Sequence, residues 1–254
     1  MLSVIRKEQL TPHMLRVTLG GELMTGFPEG RESANFKLLL PQIHQAVPVL
    51  PTSTSKPHEK DKPIVRTYTV RNFDPKAMQV DVDFFIHKEA GPASQWAQEA
   101  KPGDKIGFGG PGPAKLAEPD RDWYLFAGDM SALPAISANI EKLPRDAKGY
   151  VLLEIIEEAD KQSLPFPENF DVRWLINPEP EKENNILLDA FIQVPWLQGR
   201  PYVWVAGESS AVKKIRAFIR EVHSVEKSDF YCSGYWQIGM TEDIHQVTKR
   251  SEKL

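Results

Sequence analysis

Across the charged stretch Ala117-Glu118-Pro119-Asp120-Arg121-Asp122 the hydrophobic pattern of this chain changes its period, and that change constrains the fold more than any other feature. Before it, short β-branched and aromatic runs sit between turn residues at Met14 to Leu19, Phe36 to Leu40, Val65 to Val70, Met78 to Ile86 and Lys105 to Gly109. No long helical spacing separates them, so they predict an antiparallel β-barrel or sandwich. After it, strand-like runs at Trp123 to Ala127, Tyr150 to Ile156, Val172 to Ile176 and Tyr202 to Ala206 alternate with helical spacing. Leu133, Ile136, Ile140 and Leu143 mark one helix, and Val212, Ile215, Ile219 and Val222 another. That alternation predicts βαβ units around a parallel sheet. Ligands of such sheets bind beyond the carboxyl ends of the strands, which singles out Ala127-Gly128-Asp129 and Ala206-Gly207-Glu208.

Composition removes several function classes. No apolar run reaches the roughly 18 residues of a membrane-spanning helix, and the first residues turn polar too early for a signal peptide, so no membrane insertion and a cytoplasmic address are expected. The single cysteine, Cys232, excludes an internal disulfide framework and a four-cysteine iron–sulfur cluster, so redox chemistry needs a borrowed cofactor. With 31 basic against 35 acidic residues, the charge of −4 argues against attraction to nucleic acid. His44, His58, His223 and His245 show no metal-ligand spacing, and no protein-bound metal is assigned. The segment from Gln42 to Lys62, with three prolines and a Thr-Ser-Thr-Ser run, reads as a long surface loop.

Two segments of the first half carry chemistry. Arg66-Thr67-Tyr68-Thr69 is read as presenting a planar cation, a ring and a hydroxyl on one strand face, a set suited to flavin phosphates, isoalloxazine and N5. Gly91-Pro92-Ala93-Ser94-Gln95-Trp96 reads as a small-residue turn opening a helix, whose N–H groups and Ser94 hydroxyl can hold a pyrophosphate. Helix capping with Trp96 as core explains the second segment equally simply.

The ordered set Arg66-Thr67-Tyr68-Thr69-Val70-Arg71, Val82-Asp83-Phe84-Phe85-Ile86-His87, Gly91 to Ala97, Ala127-Gly128-Asp129-Met130-Ser131-Ala132-Leu133-Pro134-Ala135-Ile136 and Gly234-Tyr235-Trp236 resembles the siderophore-interacting protein family. That family of ferric-siderophore reductases is a branch of the ferredoxin reductase superfamily. The resemblance implies an FAD-binding β-barrel over residues 1–118 and an NAD(P)H-binding α/β domain over 119–254. It implies FAD as cofactor, NADH or NADPH as co-substrate, and reduction of siderophore-bound Fe(III) to release iron in the cytoplasm.

Carried over by position, Arg66, Tyr68, Thr69, Asp83, Phe85, His87, Ala93, Ser94 and Trp96 fall in the flavin set. Asp129, Ala132, Leu133 and Glu208 border the nicotinamide site, and Tyr235 and Trp236 complete the cofactor-binding set, with a siderophore pocket lined by these two as the alternative to a cationic patch. No side chain is required as nucleophile or general base. Because many ferric siderophores are anionic, a local cationic patch is expected among Arg71, Lys56, Lys60, Lys62, Lys249 and Arg250. Glu154 to Asp160 ends a strand where a ribose carboxylate would favour NADH, whereas Lys161 would favour a 2′-phosphate. Reduced ferredoxin stays open as a donor, and the chain is expected to act as a monomer. A general NAD(P)H:flavin or ferredoxin oxidoreductase and a non-catalytic siderophore-binding flavoprotein are the alternatives.

Overall fold

The computed structural model describes residues 1–88 and 91–244. The chain divides into two compact units, Met1–Lys115 and Leu116–Leu254. The break follows Lys115 rather than Glu118 because the intervening residues are tied to the second unit: Ala117 N donates to Asn139 Oδ1 at 2.7 Å, and the Tyr124 hydroxyl donates to Glu118 O at 3.1 Å.

The first unit is a seven-stranded antiparallel sheet of β1 (Leu2–Thr11), β2 (Met14–Gly20), β3 (Asn35–Leu40), β4 (Ile64–Thr69), β5 (Asn72–Asp74), β6 (Gln79–Phe85) and β7 (Lys105–Gly109), in the order β4-β3-β7-β1-β2-β6-β5. The edge strands β4 and β5 are consecutive in the chain. Val70 N donates to Ala34 O at 2.8 Å, and Arg71 N donates to Asp81 O at 3.0 Å. One stretch therefore pairs first with β3 and then with β6, curling the sheet into a barrel whose edges are protected. Alternation along β6 sends Val80, Val82 and Phe84 into the core, all fully buried. Helix α1 (Pro92–Glu99) adds Ala93 and Ala97 to that core. The long segment between β3 and β4 holds only a short 3-10 turn at Glu59–Asp61, as its composition predicts.

The second unit is a five-stranded parallel sheet of β8 (Trp123–Gly128), β9 (Lys148–Ile155), β10 (Asn169–Ile176), β11 (Pro201–Glu208) and β12 (Phe230–Trp236), in the order β10-β9-β8-β11-β12. Helices α2 (Leu133–Ile140), α3 (Ile186–Ile192) and α4 (Ser209–Val222) connect the strands. Val212, Ile215 and Ile219 of α4 recur at helical spacing and are buried against Val203 and Val205, each contributing about 1.5–3 kcal/mol of apolar burial. The order of strand addition reverses between β8 and β11, which run parallel, and this is the switch point at which doubly wound sheets open a crevice.

Glycine is required at two places there. A Cβ on Gly128 would stand 2.7 Å from Ala206 O, and one on Gly207, whose φ is +139°, would stand 2.5 Å from Asp129 Oδ2. These contacts let β8 and β11 deliver Asp129 and Glu208 side by side.

Candidate functional site

In the barrel, register decides which of the predicted side chains can act together. Leu38 and Phe36 of β3 lie opposite Arg66 and Tyr68 of β4, so the guanidinium and the phenol share one face, while Thr67 and Thr69 share the other. The expectation of one face for all three is therefore corrected: Thr69 is an odd step from Arg66 and Tyr68, and it is 9% exposed. On its side of the strand, Thr67 Oγ1 accepts from Lys37 Nζ. Arg66 is half-buried, with Nη1 donating to Val65 O at 2.8 Å. The Tyr68 ring lies 4.3 Å from Phe84, which in turn lies 6.0 Å from Trp96, so β4, β6 and the start of α1 are joined through aromatic contacts.

Asp83 and Phe85 fall on the opposite side of β6 from Phe84, and His87 follows just beyond the strand's end. Phe85 and His87 are half-buried with ring centroids 5.6 Å apart. Asp83 is held inside a charge cluster. Arg16 Nε donates to its Oδ1 at 2.6 Å, Arg16 Nη2 to its Oδ2 at 2.8 Å, and Arg71 Nε stands 3.7 Å from Oδ2. Arg71 is only 8% exposed, which sets it inward as an ion-pair partner rather than on an open docking patch.

Ser94 is also turned inward. Its hydroxyl donates to Phe85 O at 3.1 Å, fastening α1 to β6, and its proton is thereby committed. The backbone of this turn keeps its anion-binding character: Gly91 caps the helix, Pro92 brings no N–H, and the first internal bond runs from Gln95 N to Gly91 O at 3.0 Å. Ala93 and Trp96 pack against the barrel core, so side-chain contacts expected from them give way to packing. Guanidinium, ring and helix N-terminus together are a donor set that fits a flavin nucleotide. Lys56, Lys60 and Lys62 are exposed on the long segment, with Lys62 paired to Glu59; Lys249 and Arg250 lie outside the described residues.

In the second unit, Asp129 ties three strand ends together. Its Oδ1 accepts from Ser131 N at 2.9 Å, Ser131 Oγ at 2.5 Å and Ala132 N at 3.3 Å. Its Oδ2 accepts from Glu208 N and from the Trp236 indole Nε1, both at 2.8 Å. Burial pushes the Asp129 carboxyl up, against the opposing pull of the bonds from Ser131 and Trp236. Glu208 caps α4, its Oε2 accepting from Ser210 N at 2.6 Å and Ala211 N at 2.9 Å. Ala132 and Leu133 are 0% and 1% exposed, so both stand in the core of the unit rather than on an open ligand-binding surface. Tyr235 meets Trp204 edge-on at 6.4 Å, and burial raises its phenol well above the ordinary value.

A pocket opens beside this knot, lined among others by Asp129, Glu154, Glu183, Glu208 and Lys214. Glu154 of β9 is a site residue that the sequence offered only as one of a run of acids. Asn177 Nδ2 donates to it at 2.7 Å, and burial first, then the Asp129 and Glu208 charges, raise its carboxyl to about 7.

Comparison with known proteins agrees with this geometry in both units. Residues 3–115 match the family model described as siderophore-interacting FAD-binding domain, and residues 121–239 match that described as siderophore-interacting protein. The ferric vibriobactin reductase ViuB of Vibrio cholerae is 36% identical over 250 residues, spanning 96% of this chain and 92% of that protein. The NADPH-dependent ferric-chelate reductase of Escherichia coli is 29% identical over 241 residues, spanning 92% of this chain and 91% of its own length. Among solved structures, the siderophore-interacting protein SipS from Aeromonas hydrophila superposes with a TM-score of 0.86 at 34% identity, covering 99% of this chain and 96% of that one.

Proposed function

The chain belongs to the siderophore-interacting protein family, and from that premise we propose that it is an FAD-dependent reductase that uses NAD(P)H to reduce siderophore-bound Fe(III) to Fe(II). The observation that carries the reading is the pairing, in one chain, of a barrel whose β4 presents Arg66 and Tyr68 on one face with a parallel sheet whose switch point ends in Asp129 and Glu208. When bound, FAD supplies the step from a two-electron hydride donor to a one-electron metal acceptor.

The chain's own residues position and exclude. Arg66 holds the flavin's phosphates by charge-assisted bonds, the Ala93 and Ser94 amides at the start of α1 take their share of the same charge, and Tyr68 supplies the ring surface. Ser94 contributes through its backbone and through the hydroxyl that anchors α1. Thr69, on the other face, acts by packing. In the second unit, Asp129 and Trp236 fix the strand ends that border the nicotinamide, and Glu208 fixes the start of α4.

The ferric siderophore is substrate, and no side chain needs to attack it. Its hard oxygen ligands hold Fe(III) more tightly than Fe(II), since losing one unit of charge weakens every metal–oxygen attraction, so reduction is also release. We place that release in the cytoplasm and the active species as a monomer; no helix among the described residues is long and apolar enough to cross a membrane. With Arg71 turned toward Asp83, the cationic contacts for an anionic siderophore are assigned to Lys56 and its neighbours on the long segment, together with Lys249 and Arg250.

A steady-state assay with trapped Fe(II) tests this reading. The rate should saturate with ferric siderophore at fixed NAD(P)H. A rate that depends on added free flavin and shows no saturation with ferric siderophore would make the protein a general flavin reductase instead.

A further inference from the structure

A doubly wound sheet offers a dinucleotide's phosphates the backbone N–H groups of the helices that start at its switch point. In this protein those groups already hold carboxylates. In the turn that opens α2, Ser131 N and Ala132 N donate to Asp129 Oδ1; at the start of α4, Ser210 N and Ala211 N donate to Glu208 Oε2. We propose that Asp129 and Glu208 are resident anions standing where a pyridine dinucleotide's phosphates would bind, so that they weaken its binding, and that neutralising Glu208 tightens it. This rests on the reading that NAD(P)H is the electron donor.

The physical argument is competition for donors and repulsion between like charges. A phosphate reaching either turn must displace a carboxylate from N–H groups it already satisfies or settle beside it, and like charges within about 4–6 Å disfavour one another. The surroundings add to the repulsion. Glu154 and Glu183 line the same pocket, and Lys214, the one cation on its wall among the described residues, donates to Asn185 Oδ1 at 2.8 Å. The rise of the Glu154 carboxyl, caused mainly by burial but also by the Asp129 and Glu208 charges, reports the negative field there.

The two anions differ in freedom. Asp129 cannot swing away without stranding the Trp236 indole and the Glu208 amide. Glu208 is half-buried, and its other oxygen accepts from Ile238 N at 3.4 Å, a long bond that costs little to lose. Glu208 is therefore the member whose charge can be removed while the fold is kept, and Ser is the residue that caps a helix without charge.

The test is calorimetric titration of NADP⁺ and NAD⁺ into the FAD-loaded protein at low ionic strength, comparing wild type with Glu208→Ser and Glu208→Gln. Both variants are expected to bind at least one of the two nucleotides about fivefold more tightly or better, with the gain shrinking at high salt. Equal or weaker binding of both nucleotides by both variants overturns the proposal. Flavin absorbance and circular dichroism establish folding, and if Glu208→Ser misfolds, Glu208→Gln decides alone. Tighter binding in the variants without bleaching of the flavin by NADH or NADPH would remove the donor assignment and leave this inference standing.

Discussion

Replacing Arg66 with alanine is expected to give a protein that purifies colourless. The guanidinium is the cation of β4 that shares a face with Tyr68, and a partly buried charge-assisted contact to phosphate contributes about 1.5–3 kcal/mol. That corresponds to a loss of roughly 10- to 150-fold in flavin affinity. Arg66→Lys should recover part of it, because an ammonium keeps the charge but not the planar fork. The measurement is the ratio of flavin to protein absorbance after purification, with thermal unfolding as the control for folding. Full flavin content in a folded Arg66→Ala protein would remove β4 from the cofactor site.

Asp229→Ala should produce the largest loss of stability in the second unit. The Asp229 side chain is 2% exposed; Arg121 Nε and Nη2 donate to its Oδ1 at 3.0 and 2.9 Å, and Arg200 Nε donates to its Oδ2 at 2.5 Å. Arg121 is itself nearly buried and would keep only the exposed Asp120 as a partner, so removing the buried carboxylate costs about 3 kcal/mol, the lower end of what breaking a buried pair costs. The unit's unfolding midpoint should fall by roughly 10 °C or more. Burial alone would raise the Asp229 carboxyl, but the bonds from Arg200 and Arg121 prevail and hold it below the ordinary carboxylate range. The stability it confers is thus complete above the unfolded carboxylate's pKa and is lost as pH falls through the lower folded value. Thermal melts from pH 7 down to pH 3 should therefore converge for wild type and Asp229→Ala; a constant difference across that range would place the stabilisation elsewhere.

Much of the architecture was legible because it rests on periodicity. The runs at Phe36, Val65 and Met78 and the alternation after Asp122 became β3, β4, β6 and the parallel sheet. The first strand, Leu2–Thr11, was not legible: its central residues Arg6 to Gln9 are polar on a half-exposed wall, and register shifts interrupt its pairing with β2. Strand β12 was missed for a related reason, since every residue from Phe230 to Trp236 is half-buried and none gives an inside–outside contrast.

The candidate site divides along the same physical line. Residue types at Arg66, Tyr68, Asp129 and Glu208 could be singled out from strand and turn context. Where their side chains point could not, because that depends on partners distant in sequence: Asp129 receives an indole from Trp236, and Asp83 is shared by Arg16 and Arg71. Thr69 shows the finer failure, in which one odd step along a strand moves a hydroxyl to the opposite face.

The central claim, that electrons pass from a pyridine nucleotide through this protein's flavin to siderophore-bound iron, is tested most directly by an anaerobic two-step experiment. The purified protein is mixed with NADH or NADPH while the flavin absorbance is followed, and then with a ferric siderophore and a chromogenic Fe(II) chelator. Bleaching by at least one nucleotide is expected, followed by return of the flavin absorbance in step with appearance of the Fe(II) complex. Flavin that bleaches but stays reduced after the ferric siderophore is added, with no Fe(II) formed, would contradict it.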